Sequence, residues 1–470
     1  MKNNGLKHIS IVRSCSLFLE EVDISEVCKV INEKIKTHNA ATCYYLSRLF
    51  FIPSLYKTTF SFIERWFPMV IETKNFLELE KSLVSKILAS SGLQIDSEVE
   101  VYNAANQWLA HDIEERIKYA KQLLLKVRLN LLSEQCLKYL INDFSWISTN
   151  DDCLKVLKNR DIFYQNDSAI YNKSRHCNQN MFNILVCGGR GITENKSVNQ
   201  VKEFHGNHLE ELEDPPRMLN KRYCSTAVCF RGEAYVFGGI GFEGNRLKSV
   251  EKYSPVKKTW NHVFDLPDER QYFCASAFMR KIYIFGGHSL TYGSLNSCLE
   301  YDAETLIWNE VAEMRLTRSN AACAIYEGNI AVSGGIDHMH FDLRSVELYD
   351  AFVDNWTPMP SMIEERNHHS LVCVRTKMFA IGGAKLNTKS EVFDRISNKF
   401  VKLKTPNFLT FGMVSVLAAT KIFVFQDFGK SAFCYDVDKN KWSEESCKAS
   451  KKIRHYSLVK IPSSRLNYHL

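Results

Sequence analysis

Glycine is almost missing from the first part of this chain. Of 21 glycines only Gly5 and Gly92 precede residue 181, and 19 follow it. A stretch so poor in the residue of tight turns does not read as a sheet module, and residues 8–158 read as helices. Long apolar runs are missing as well. Nothing approaches the roughly 18 residues of a membrane span. The apolar patch from Ile9 to Leu19 is interrupted by Arg13 and followed by Glu20 and Glu21, so it is not expected to act as a secretory leader. No run of Lys and Arg is longer than three, and the net charge is only +7 over 470 residues, so nucleic acid is not an expected partner. The basic residues Lys448, Lys451, Lys452 and Arg454 read as a solvated loop. None of the 15 cysteines forms a CxxC pair, which removes the zinc-ribbon and dithiol-redox classes. A reducing, cytoplasmic location without disulfides is expected, with thiols such as Cys187, Cys229, Cys323 and Cys373 inside strand patterns. Phosphate-binding loops and nucleophile–base pairs are also lacking, so neither catalysis nor a cofactor is expected. Gly239 to Gly244 fits GxGxxG, but a strand rather than a helix follows it, and it reads as a turn. His368 and His369 are adjacent, and neighbouring strand residues face opposite ways, so they do not read as one metal site, and at most one of them faces a pocket.

What the second part has is a repeat. Gly-Gly pairs begin at Gly238, Gly286, Gly334 and Gly382, and the interval between them does not vary. Arg222, Arg270, Arg318 and Arg366 precede the pairs, again at one fixed distance. Tyr253, Tyr301 and Tyr349 follow the first three pairs at a constant offset, with Trp260, Trp308 and Trp356 seven positions beyond. Between these marks lie short runs of β-branched and aromatic residues, such as Glu233 to Phe237 and Val250 to Tyr253. A period of roughly 50 residues built of four such strands is a propeller blade.

The glycine, arginine, tyrosine and tryptophan spacing resembles the kelch repeat. Counting outward gives six blades. The first keeps Gly188-Gly189 and Phe204 without a tryptophan; the fifth offers Phe393 four positions ahead of the tyrosine slot; the sixth replaces its glycines by Gln426-Asp427 but keeps Tyr435 and Trp442. No innermost strand for the first blade precedes Asn183. The segment Arg454-His455-Tyr456-Ser457-Leu458-Val459 supplies one, so the C-terminus is expected to close the ring. The propeller is read as 183–470, behind a polar linker at 159–182.

Within residues 8–158, Ser97-Glu98-Val99-Glu100 forms a capping box, and Val101, Ala104, Ala105, Trp108 and Leu109 share one helical face. Together with Phe76-Leu77, Leu79, His111-Asp112, Val127-Arg128-Leu129 and Leu131-Leu132, this resembles the BACK domain of BTB-kelch proteins. Cys15-Ser16-Leu17-Phe18-Leu19 looks like the end of a BTB domain, and 8–50 like the helical pair that follows it. The expected fold is therefore an α-helical, BACK-like bundle followed by an all-β, six-bladed kelch propeller. A BTB domain needs roughly a hundred residues upstream, and only about a dozen stand there. Either that module is lost or Met1 is a displaced start; both readings stay open.

The resemblance implies a substrate-recognition adaptor of a cullin-RING ubiquitin ligase, with a protein substrate on the propeller. Cullin would be reached through the N-terminal helical pair or a BTB-bearing partner. Actin binding and a role as a binding protein that does not deliver to a ligase stand as alternatives. In kelch proteins the partner face carries the loops that lead into each innermost strand and those that leave each Gly-Gly pair. The first set offers Arg222, Tyr223, Arg270, Tyr272, Arg318, Asn320, Arg366, His368, Arg454 and Tyr456; the second offers Phe242, His288, Tyr292, Asp337, His338 and Lys385. Arginines around a cup with aromatic walls suit an acidic or phosphorylated peptide. The repeated four could equally anchor blade to blade, which leaves Tyr272, Asn320, His368, Phe242 and Tyr292 as the better specificity residues.

Overall fold

The computed structural model describes residues 34–132 except 96, residue 137, residues 150–158, and residues 182–462 without 192–194, 206–208, 213–214, 256, 375, 384–388, 405–411, 419, 427–431 and 446–452. The start of the helical pair at 8–50, most of the linker at 159–182 and Lys385 lie outside the described residues.

The helical part packs Thr37–Leu49, Pro53–Arg65, Lys81–Ala89 and Glu98–Ala110 around one core. The last of these begins as its sequence dictates. Ser97 Oγ accepts from the Val99 N–H at 3.3 Å, and the Glu100 carboxylate accepts from the Ser97 N–H at 3.3 Å. Its buried face holds Val101, Ala104, Ala105, Trp108 and Leu109. Trp108 donates its indole N–H to the Leu79 carbonyl at 2.9 Å. No described helix is long and apolar enough to cross a membrane.

Six four-stranded antiparallel sheets follow. In the second blade, Thr226–Phe230 is innermost, then Glu233–Phe237, Ser249–Ser254 and Thr259–Asp265 outward. The first blade takes its innermost strand from the far end of the chain: Ser457–Pro462 pairs along the whole of Phe182–Cys187. Middle strands such as Asn329–Ser333 are buried throughout, while outer ones such as Ile307–Val311 are half wet. Each tyrosine–tryptophan pair is a cross-strand contact, with rings 5.3 Å apart for Tyr253 and Trp260 and 5.1 Å for Tyr349 and Trp356. The indole N–H bonds the connection out of the preceding blade, as Trp356 does to the Ala312 carbonyl at 2.7 Å. In the fifth blade Phe393 and Phe400 pair across strands in the same way, 5.3 Å apart, so this blade keeps the spacing within its pair and shortens only the loop before it.

Arginine and glycine marks form one interlock. The Arg318 guanidinium donates to the Gly334 carbonyl at 2.8 Å, to Ser345 Oγ at 2.8 Å and to the Glu347 carboxylate at 2.7 Å. Its own carbonyl accepts from the Gly287 N–H of the preceding blade at 2.8 Å. Arg222 repeats this with Gly238 and Glu251, and Arg366 with Gly382 and Glu391. In the third blade Leu299 stands where the glutamate would be, and Arg270 turns instead to Asp268 at 2.6 Å. A Cβ on Gly286 would lie 2.3 Å from the Arg318 carbonyl oxygen, and one on Gly334 would lie 2.4 Å from that of Arg366. The glycine is demanded by the neighbouring blade's backbone as well as by its own φ, which is 57° at Gly286 and 56° at Gly334.

The helical part meets the opposite end of the barrel from the Gly-Gly turns. Trp66 lies on the turn at Gly232, where a Cβ would come within 2.3 Å of the indole. Glu72 takes Arg280 at 3.2 Å and Arg231 at 3.7 Å. Ile95, Ser97, Glu98 and Leu131 close the lower end of a channel cavity of about 370 Å³.

Two outcomes follow for stability. Deleting residues 457–470 strips Phe182–Cys187 of its inner partner and opens the ring, so thermal unfolding followed by circular dichroism should lose its cooperative step or shift well downward; an unchanged melting temperature would refute closure by the C-terminal strand. Arg318→Ala leaves Glu347 buried without its cation, and chemical denaturation should register a loss of about 3–5 kcal/mol.

Candidate partner-binding face

Two positions after each repeated arginine the chain turns left-handed. Cys224, Tyr272, Asn320 and His368 have φ of 52°, 56°, 56° and 49°, and Gly412 and His455 complete the set at 59° and 53°. Strand register places all six alike. Ser457 faces Cys187 as Thr226 faces Phe237, each just ahead of its Gly-Gly pair, and Val414 faces Phe425 in the sixth blade. Five of these six are not glycine, at a cost of about 1 kcal/mol or more each. Backbone bonds run between neighbours: Cys224 N–H to the His455 carbonyl at 3.0 Å, Asn320 to Tyr272 at 2.8 Å, and His368 to Asn320 at 3.1 Å. This belt holds the six residues around the upper mouth of the channel, where they line a cavity of about 260 Å³.

Large and small residues alternate around the belt. His455, Tyr272 and His368 come from the first, third and fifth blades; Cys224, Asn320 and Gly412 come from the second, fourth and sixth. Six large side chains cannot converge on one axis, and three can. The Tyr272 and His368 rings meet edge to face at 5.9 Å, and His368 and His455 lie 6.0 Å apart. These three rings from alternate blades floor a shallow cup. Burial holds the His368 imidazole below its usual range, against the opposing pull of Asp342. His455 is pushed down to about 4, by burial first and then by His368, Arg454 and Arg190. Burial raises the Tyr272 hydroxyl. The floor is thus an uncharged, hydrogen-bonding aromatic surface at neutral pH.

The structure divides the sequence-predicted residues. Arg222, Arg270, Arg318 and Arg366 are 0–2% exposed, their guanidinium groups turned into the interlock. They are scaffold, and the cup is not ringed by them, because strand-end carbonyls and a carboxylate claim each guanidinium. The register also corrects the C-terminal segment by one position. Ile453, not Arg454, stands in the arginine position, and Arg454 takes the place of Tyr223, reaching Asn195 at 3.2 Å. Tyr456 lines the same mouth but is buried, its hydroxyl donating to the Gln426 carbonyl at 3.0 Å. Tyr223 is half-buried under the Arg190 guanidinium at 5.1 Å. Tyr272, Asn320 and His368 gather at the mouth. His369 is buried and bonds Ser333 Oγ at 2.8 Å.

In the second set of loops, Phe242 and Tyr292 are exposed, Phe242 beneath Lys221 at 4.5 Å and Lys196 at 5.5 Å. His288 is half-buried and held low by burial, then by Arg246 and His340. Asp337 is occupied within its own loop, accepting from the Met339 and Phe341 N–H groups at 2.9 Å. His338 is exposed, and its backbone N–H donates to Thr317 Oγ1 at 2.9 Å. Sequence reasoning missed Cys224, Gly412 and His455, although the constant offset from the arginine was available as a signal. It also missed Glu251 and Glu347, which follow their arginines at one shared interval. Burial drives the thiols of Cys187, Cys298 and Cys373 well above the ordinary range, the reverse of an activated cysteine.

The imidazoles give a pH dependence whose sign is fixed. The unfolded chain protonates His455 near 6.5, whereas the folded chain resists down to about 4. The unfolded state therefore binds the extra proton first, and stability present above about pH 6.5 is lost progressively as pH falls toward about 4. His368 and His369 act in the same direction. Melting temperatures measured from about pH 7 to about pH 5 should fall, and more shallowly for His455→Asn, a residue that tolerates the left-handed backbone.

Comparison with known proteins matches both parts. The BACK model, BTB And C-terminal Kelch, matches residues 40–142, and the KLHDC2/KLHL20/DRC7 Kelch-repeats domain matches 175–383. Among curated relatives, Kelch-like protein 7 of Gallus gallus is 27% identical over 252 residues, which are 53% of this chain and 42% of that protein. Kelch-like protein 9 of Mus musculus is 24% identical over 275 residues, 55% of this chain and 43% of the relative. Kelch repeat and BTB domain-containing protein 3 of Mus musculus is 24% identical over 272 residues, 56% and 43%. The match spans less than half the length of each of these relatives. With helices that fit BACK, six blades that carry the kelch marks and relatives that share both, the chain belongs to the BTB-BACK-kelch, or kelch-like, family.

Proposed function

We propose that this chain is a non-catalytic recognition protein whose cup holds a target protein, and that it serves a cullin-RING ubiquitin ligase as a substrate adaptor. One observation carries the reading: the belt of left-handed residues that directs Tyr272, Asn320, His368 and His455 into an open mouth, at the end of the propeller away from the helical part. Backbone strain in non-glycine residues persists where the surroundings impose it, and it gathers where side chains must be aimed. Aromatic and amide groups held in this way recognise a peptide by stacking and directed hydrogen bonds. The helical part grips the lower end through Trp66 and Glu72, so a target in the cup would stand at a set distance from whatever the helices engage.

Affinity purification of the full chain from its native cells, beside a Tyr272→Ala/His368→Ala variant, tests this. The wild type should recover a target that the variant loses, with cullin and RING subunits in both eluates. Ligase subunits absent from both would reduce the role to binding without delivery. A partner set unchanged by the variant would remove the cup from the reading.

A further inference from the structure

The loops that leave the Gly-Gly pairs of the second, third and fourth blades share a construction that the cup does not explain. Each is pinned at its base by a bridge: Ile240 to Arg246, His288 to Ser294, and Ile336 to Asp342. Hydrogen bonds order the tips as well, through the Asp337 carboxylate in the fourth blade and Ser289 Oγ accepting from the Tyr292 N–H at 3.0 Å in the third. Yet each loop lifts large apolar side chains into water. Phe242 and Leu290 stand just past their bridges, 49% and 75% exposed; Tyr292, Met339 and Phe341 are 79%, 63% and 63% exposed. Rigid loops holding apolar groups out on three adjacent blades form a continuous arc, which a lone soluble surface does not need.

The arc ends in positive charge. Lys196 and Lys221 sit over the Phe242 ring, and Arg190 lies over Tyr223 beside them. None of the three makes an ion pair with a carboxylate among the described residues. Cations stacked on an aromatic ring, with no carboxylate paired to them among the described residues, keep their charge available to a partner.

We propose that this arc and its basic end form one docking surface for a short segment of a partner protein. The segment lays two or more large apolar side chains across the third and fourth blades and sets a carboxylate side chain against Lys196 and Lys221. This rests on the reading of the face as a partner-binding surface, and it goes beyond the cup by fixing the chemistry and the direction of what is bound.

The probe is a random-peptide display selection on the full chain, followed by fluorescence anisotropy with an enriched peptide. Enriched sequences should join Leu, Ile, Phe or Met to Asp or Glu within one short segment. Leu290→Ser/Phe341→Ser should weaken binding by about tenfold or more. Lys196→Glu/Lys221→Glu should do the same and abolish its salt dependence. All four positions are surface groups; should the apolar pair lower the melting temperature, Met339→Ser replaces it. Peptides without the apolar–acidic pairing, peptides that bind only when phosphorylated, or affinity unmoved by both variants would overturn the proposal. Sedimentation showing an arc-dependent dimer would also overturn it, since the occupant would then be a second copy. Affinity unmoved by the arc variants but lost in Tyr272→Ala/His368→Ala would sink this inference alone and leave the cup reading intact.

Discussion

The propeller depends on how a strand end is satisfied where six sheets crowd together. At the exit of each second strand, two carbonyls and a neighbouring backbone would be stranded away from water, and a buried orphan of that kind costs on the order of 1–3 kcal/mol. The guanidinium fork answers several at once, donating to the glycine carbonyl, a serine hydroxyl and a glutamate, while the arginine's own carbonyl takes the glycine N–H of the blade before. Only a residue without a side chain lets that carbonyl approach. Arginine, glycine and glutamate are thus one device that ties the second, fourth and fifth blades both to themselves and to their neighbours. Where the third blade lacks the glutamate, Asp268 enters from the connecting loop, so the charge balance survives a change of partner.

The same device sets the cup. With the arginine anchored, the chain has two positions in which to reverse into the innermost strand, and the left-handed turn at the second is the way it does so. That geometry brings six positions to the axis, and space admits only three large side chains. The alternation of His455, Tyr272 and His368 with Cys224, Asn320 and Gly412 is a packing rule imposed by the ring's symmetry. The proposed cup sits next to the buried arginines of the interlock.

Most of the fold was legible because the repeat is literal. Period, strand pattern, the Ser97 capping box and closure by the last strand all follow from local spacing. The first-blade arginine misled by one position: Arg454 looks like a repeat mark, but the spacing to Ser457 shows that Ile453 stands there, and only register could decide between them. Burial of the four arginines was not legible either, since the same residue type serves a scaffold fork and an anion-binding rim. Glu251 and Glu347 were the missing signal: a cation with a carboxylate at a fixed offset is already engaged. Solvent exposure of Leu290, Met339 and Phe341 needed the structure, because apolar residues in a β-rich sequence read first as strand.

The separation of scaffold from contact has a consequence for how such a surface can vary. The belt positions and loop tips carry no part of the interlock, whose bonds end at the arginine, the glycine carbonyl and the glutamate. A side chain exchanged at Tyr272, His368 or Phe242 leaves the arginine–glycine–glutamate bonds in place. The left-handed backbone is the one restriction at the belt, and it favours glycine, asparagine and residues locked by their neighbours. Asn320 and Gly412 meet it at low cost, whereas Cys224, Tyr272, His368 and His455 are strained choices, and three of these four carry the rings that meet over the axis. On the reading proposed for the cup, the strain at the three ring positions is the cost of aiming their side chains at a partner.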